Sequence, residues 1–175
     1  MNPGRPLSPH PLLLLARRAI EAQVRGLKFS ALSGPQAPSP PRACFVSLKA
    51  AGRLRGCIGT LSPVRASLEL EVAENAMAAA TRDPRFPPVR PDELARLRLS
   101  IDVLNPPEAV SSEQELDPLR YGLVLRQGNR CGVLLPDIPG VGSVRRQIEI
   151  CREKAGVAPD APVALERFTV ERIGE

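Results

Sequence analysis

Twenty prolines punctuate this 175-residue chain and decide where regular structure can run. A proline ring removes a backbone donor and clashes with the preceding helical turn, so it is tolerated at the first turn of a helix, at strand ends and in turns. Ser33 to Pro41 holds four prolines and reads as a loop or tether inside the chain. Between such breaks the periodicity is legible. Residues Pro11–Arg25 predict a helix with Leu12, Leu15, Ala19 and Ala22 on its apolar stripe, preceded by a flexible tail over residues 1–11. Cys44–Leu48 and Arg53–Thr60 alternate around a turn at Gly52 and predict a hairpin. Ser62-Pro63 predicts the start of a second helix that runs to Thr81, with Leu68, Val72, Ala76 and Ala80 at helical spacing. Arg82 to Pro88 stops it, Pro91–Leu94 forms one turn, and Leu97–Leu104 alternates as a strand. A capping box at Ser112 and Glu115, a second hairpin over Tyr121–Leu135, a helix over Ser143–Ala155 closed by Gly156, and a last strand over Leu165–Ile173 complete the pattern. Hairpins joined through helices, without regular βαβ alternation, predict an α+β fold: a mostly antiparallel sheet flanked by helices, with a smaller second lobe and a binding cleft between lobes.

Composition narrows the chemistry. With 43% hydrophobic and 25% charged residues the chain is globular. Its longest aliphatic run, Leu12–Leu15, is far below the roughly 20 residues of a membrane span and lacks the flanks of a secretory signal, so a cytoplasmic protein is expected. The single histidine, His10, lies in the expected tail, which argues against a buried histidine base. Four cysteines, Cys44, Cys57, Cys131 and Cys151, contain no C-x-x-C pair, so no structural zinc is expected. No P-loop, no G-x-G-x-x-G and no three-cysteine cluster is present, so no cofactor is predicted. Residues 1–60 hold nine basic side chains against the one acid Glu21. An Arg-rich, Lys-poor composition is also what a GC-rich genome encodes, and an aromatic content of 3% supplies no stacking platform; nucleic-acid binding is therefore not favoured.

Three segments carry candidate chemistry. In Leu54-Arg55-Gly56-Cys57-Ile58-Gly59-Thr60, glycines on both sides of a strand cysteine suit a place where backbone or ligand comes close, and Arg55 on the same face would favour the thiolate. Read from this segment alone, a buried cysteine in a tight hairpin is the more common outcome. Arg82-Asp83-Pro84-Arg85-Phe86 sets one carboxylate between two guanidinium groups, as an anion-holding loop or as a self-satisfied turn. Glu71, Glu74 and Asn75 on the preceding helix include candidate bases, although an exposed charged face is the commoner outcome. The stretch Gly132–Pro136, with Gly140 and Gly142 before a helix start, could bind an anion through backbone amides. Cys151 reads as core, and Lys154 as a cation at a helix end.

Together Leu54–Thr60, Ala73–Ala76 running into Thr81–Pro88, Gly132–Pro136 and Cys151–Gly156 resemble the AMMECR domain, found in bacteria as AmmeMemoRadiSam system protein A, over about residues 12–173. The resemblance implies an intracellular α+β fold with a larger and a smaller lobe, working beside a MEMO-like protein and a radical SAM enzyme that would bring the iron-sulfur chemistry. Arg55, Gly56, Cys57, Gly59 and Thr60 match its most recognisable segment; Asn75, Arg82, Asp83, Arg85 and Phe86 its second; Lys154 and Gly156 its last. Cys44 departs from it, standing where small residues are usual. These positions outline a Cys57-centred ligand- or partner-binding cleft. If the protein is an enzyme, Cys57 is the candidate catalytic nucleophile and Glu71 or Glu74 the base. The alternative is a non-enzymatic RNA- or protein-binding or scaffold module.

Overall fold

The structure, a computed structural model, describes residues 10–31 and 38–175. The expected tail therefore lies outside the described residues except for its last two, and residues 33–37 of the proline-rich loop lie outside them too. The element order is α1 (Pro11–Arg25), β1 (Cys44–Ala50), β2 (Arg53–Gly59), α2 (Leu68–Thr81), β3 (Leu97–Leu104), β4 (Glu108–Ala109), β5 (Gly122–Gln127), β6 (Arg130–Leu134), α3 (Val144–Ala155), β7 (Ala164–Phe168) and β8 (Val170–Gly174). Among the described residues no helix is long and apolar enough to cross a membrane.

The chain forms two compact units, residues 1–103 with 172–175, and residues 104–171. In the first, four strands run in the order β2-β1-β3-β8. β1 pairs antiparallel with both β2 and β3, so alternate residues share a face across three strands. Cys44, Val46, Leu48, Leu99, Ile101 and Val103 face the core, packed against Leu13, Ala16 and Ile20 of α1 and Val72, Ala76 and Ala79 of α2. Phe45, Ser47 and Lys49, with Ser100 and Arg98 opposite the last two, occupy the other face. The hairpin turn places Ala51 and Gly52 at φ of 48° and 77°, as a two-residue turn matched to strand twist requires. In the second unit the strand order is β4-β7-β5-β6, and α3 covers a core of Leu123, Leu125, Leu134, Ile148 and Cys151.

Several expectations shift in detail. α1 buries Leu13, Ala16 and Ile20 rather than Leu12 and Leu15, which are half-buried. His10 belongs to no loose tail: its Nδ1 accepts from the Leu12 amide at 3.2 Å and caps α1, with Pro11 at the first helical position. α2 begins at Leu68 behind the cap Ser67, not at Ser62-Pro63. The Glu71 carboxylate takes the amides of Val64 and Arg65 and so holds that stretch out of the helix. The last strand is two, broken at Thr169, because β7 pairs with β5 in the second sheet and β8 joins β3 in the first.

Candidate functional site

Cys57 lies midway along β2, half-buried, with Ser47 directly opposite and Ser100 beyond it on β3. The Ser47 hydroxyl donates to Cys57 Sγ at 3.2 Å. Burial pushes the thiol pKa up, and it outweighs the lowering by Ser47 and Arg85. At neutral pH the group is therefore a thiol, so the expected activated thiolate is not formed by this environment.

Arg55 does not act on that sulfur. The β1–β2 register jumps between Leu48 and Lys49, leaving Arg55 in a bulge. Its guanidinium forks onto Glu93 at 2.8 and 3.0 Å and donates to the carbonyls of Pro87 and Pro88. Glu93 is correspondingly held at a pKa of about 2, first by that Arg55 hydrogen bond. Arg55 is thus a clamp on the segment after α2.

The two glycines of the motif have internal uses. A Cβ on Gly56 would stand 2.1 Å from the carbonyl oxygen of Ala79 in α2, so only glycine lets that helix lie this close. A Cβ on Gly59 would meet the Phe45 ring at 2.2 Å. Thr60 donates to Glu71 at 2.5 Å, and its amide donates to the Cys44 carbonyl.

Asp83 and Arg85 meet Cys57 through its backbone. As the edge strand of its sheet, β2 leaves the Cys57 amide and carbonyl without a strand partner on the outer side. Asp83 Oδ2 accepts from the Cys57 amide at 2.9 Å, and Arg85 Nη2 donates to the Cys57 carbonyl at 3.3 Å. Arg85 also donates from Nε and Nη2 to Asp83 at 3.0 and 2.7 Å, and from its backbone amide at 3.1 Å. These bonds, that of the Arg85 side chain first, lower the Asp83 pKa to about 2. Phe86 lies under the Arg85 guanidinium, 5.5 Å from its carbon, and steadies the fork. Arg82 turns instead to Glu74. Of the three arginines expected around the thiol, only Arg85 is there.

Neither acid on α2 is placed as a base for Cys57. Glu71 is fully buried, its carboxylate filled by Thr60, Val64 and Arg65, and Glu74 pairs with Arg82. Replacing Glu71 with glutamine, which sets an amide nitrogen against one of those donors, is expected to cost about 1–3 kcal/mol in urea denaturation. Asn75, also buried, donates to the Cys44 carbonyl at 3.0 Å and to Cys44 Sγ at 3.4 Å. The spacing held a clue: Leu68, Glu71 and Asn75 fall on one helical face, so a buried acid and amide were legible there.

The second unit repeats the arrangement around β6, the edge strand of its sheet. A Cβ on Gly132 would stand 1.9 Å from the Cys151 carbonyl oxygen of α3. Beyond it, Lys154 Nζ donates to the Val133 carbonyl on β6 at 2.8 Å, so that lysine binds an edge rather than a ligand. Gly156 closes α3 at φ 62°. Cys44 and Cys151 are buried thiols, each pushed up to about 12 by burial. Among the described residues no group of three or more His, Cys, Asp and Glu side chains could hold a metal ion. A cavity of about 210 Å³ in the first unit lies apart from this site, between α1 and the turn before β3, lined by Arg17, Ile20, Glu21 and Leu94.

A four-stranded antiparallel sheet under two helices, joined to a second sheet under one, with one edge strand of each sheet latched from the end of a covering helix, defines an α+β protein of paired edge-latched units. A sequence model of the AMMECR1 family matches residues 13–173, and the chain belongs to that family. It is 46% identical over 171 residues to a Thermotoga maritima protein, covering 93% of this chain and 97% of that one. It is 45% identical over 131 residues to a Clostridium acetobutylicum protein, covering 75% of this chain but 28% of that longer one. Among solved structures, the uncharacterized protein PH0010 from Pyrococcus horikoshii superposes with a TM-score of 0.84 at 30% identity, covering 92% of this chain and 88% of that one.

Proposed function

We propose that the chain is a binding component of a modification system, presenting on the face of its first sheet a recognition surface centred on the Cys57 thiol. One observation carries this. Within its motif Gly56 admits α2, Gly59 admits Phe45, Arg55 clamps Glu93, Thr60 binds Glu71, and the Cys57 backbone is latched by Asp83 and Arg85, whereas the half-buried Cys57 side chain takes no part in those links. The sulfur accepts a hydrogen bond from the Ser47 hydroxyl, in the row Cys57, Ser47 and Ser100.

A binding role is favoured over nucleophilic catalysis because the thiol is raised, not lowered, and neither Glu71 nor Glu74 is available to it. The partners we propose, a MEMO-like protein and a radical SAM enzyme, are those implied by the resemblance of its motif segments to the AMMECR domain of bacteria. The test is co-purification of those two proteins from the native host. Cys57→Ser is expected to keep them and Cys57→Trp, which fills the row, to lose them; equal recovery with both variants sinks the reading. The thiol state is checked separately: in a Cys131→Ser background, alkylation of Cys57 is expected to be slower than that of free cysteine at pH 7.5. A faster reaction would restore the nucleophile.

A further inference from the structure

The same sheet face carries an arrangement that the chain itself leaves uncompensated. Lys49 of β1 and Arg98 of β3 stand directly opposite each other in the register, both exposed. Like charges at such a cross-strand pair, with Cβ atoms about 5 Å apart, destabilise a sheet. Several other cations of this unit are paired with acids, among them Arg17 with Glu175, Arg55 with Glu93, Arg85 with Asp83 and Arg172 with Asp102. Lys49 and Arg98 have no ion pair or side-chain hydrogen bond among the described residues. Asp102, the acid of β3 on this face, is buried and already bound by Arg172 at 2.6 Å. On the other side of Lys49 the register brings Leu54 of β2, a leucine 40% exposed.

We propose that the row Leu54, Lys49 and Arg98 is a docking strip for an acidic segment of a partner protein, one carboxylate seated between the two cations and an aliphatic side chain on Leu54. A carboxylate there turns a repulsive pair into two charge-assisted hydrogen bonds, and the arginine fork suits it. Nucleic acid fits less well. A phosphate backbone needs a track of cations and exposed rings for its bases, whereas this row holds two charges and the Phe45 ring is folded across Gly59. The proposal rests on the reading of this face as a recognition surface and adds the chemistry of what it recognises.

The experiment is fluorescence anisotropy with the full chain and a labelled decapeptide of glutamates with two leucines, at low and at physiological salt. The double variant Lys49→Glu with Arg98→Glu is expected to bind about tenfold or more weakly, and Arg18→Glu, an exposed cation on α1, within about twofold of the parent. Equal loss in both variants, or none in either, overturns the strip. So does an RNA dodecamer that binds tighter than the peptide and displaces it. Without peptide, Lys49→Thr is expected to raise the melting temperature by relieving the pair; a lowered one overturns the premise. If peptide binding fails while Cys57→Trp still abolishes partner recovery, the strip falls and the Cys57 surface stands; the converse result separates them the other way.

Discussion

Replacing Asp83 with alanine is expected to cost about 2–4 kcal/mol in urea denaturation and to make the protein aggregate at concentrations where the parent does not. Asp83 is 4% exposed and accepts from the Cys57 amide, the Arg85 amide and the Arg85 guanidinium. Its loss leaves the Cys57 amide unpartnered at a half-buried edge and frees Arg85 from the Cys57 carbonyl. The figure stays below that for a fully buried ion pair because the Arg85 side chain is 55% exposed. Asp83→Asn keeps an acceptor for the amide but loses the charge facing the fork, so an intermediate loss is expected. Arg85→Lys tests the other arm: it retains charge but not the double contact, and should cost less than Asp83→Ala.

The pH dependence follows with a definite sign. Asp83 and Glu93 both fall to about 2 in the folded chain, from ordinary values of 3.8 and 4.5, because Arg85 and Arg55 bind their ionised forms. A carboxyl depressed on folding stabilises fully above its unfolded pKa, and that contribution fades as pH drops through the folded value. Stability should thus be flat from neutrality to about pH 5 and fall between about pH 4.5 and 2. In the double variant Asp83→Asn with Glu93→Gln the fall should be shallower. An unchanged slope would mean that other carboxylates set the acid limit.

How far the sequence reveals such a device depends on the range of the forces involved. Helices α1 and α3, the hairpins and β3 were legible because their signals are local: periodicity, a proline at a helix start, a glycine at its end. The start of α2 was not, because the amides of Val64 and Arg65 are taken by a carboxylate six or seven residues away, and no helix-start rule includes that competitor. The break at Thr169 escaped too, since β8 pairs with β3, some seventy residues earlier in the chain. At the candidate site the residue types were legible and their partners were not. Arg55 and Cys57 share a face in a regular strand; the bulge at Arg55 depends on β1, and sends the guanidinium to Glu93. Of the acid and arginines in Arg82–Phe86, Asp83 and Arg85 serve the edge of β2 while Arg82 serves α2, which loop spacing alone does not distinguish.

Gly56→Ala and Gly132→Ala are expected to be the most damaging single methyl additions among the described residues, each costing about 3 kcal/mol or more. Their Cβ atoms would sit 2.1 and 1.9 Å from backbone carbonyl oxygens of α2 and α3, and a carbonyl inside a helix cannot rotate away as a side chain does. The helix must lift from its sheet, and both latches are attached near the C-terminal end of the helix that would move. Lifting α2 draws Asp83 from Cys57, and lifting α3 draws Lys154 from Val133, so packing and edge protection fail together. Gly142→Ala, with nothing within 4 Å of its new methyl, is the control and should stay within about 0.5 kcal/mol of the parent. Hydrogen exchange then reads the mechanism. Gly56→Ala should speed exchange at the Cys57 amide, and Gly132→Ala should speed it along β6. Protection unchanged at both edges, despite the loss of stability, would show that glycine approach and edge latch are separate features.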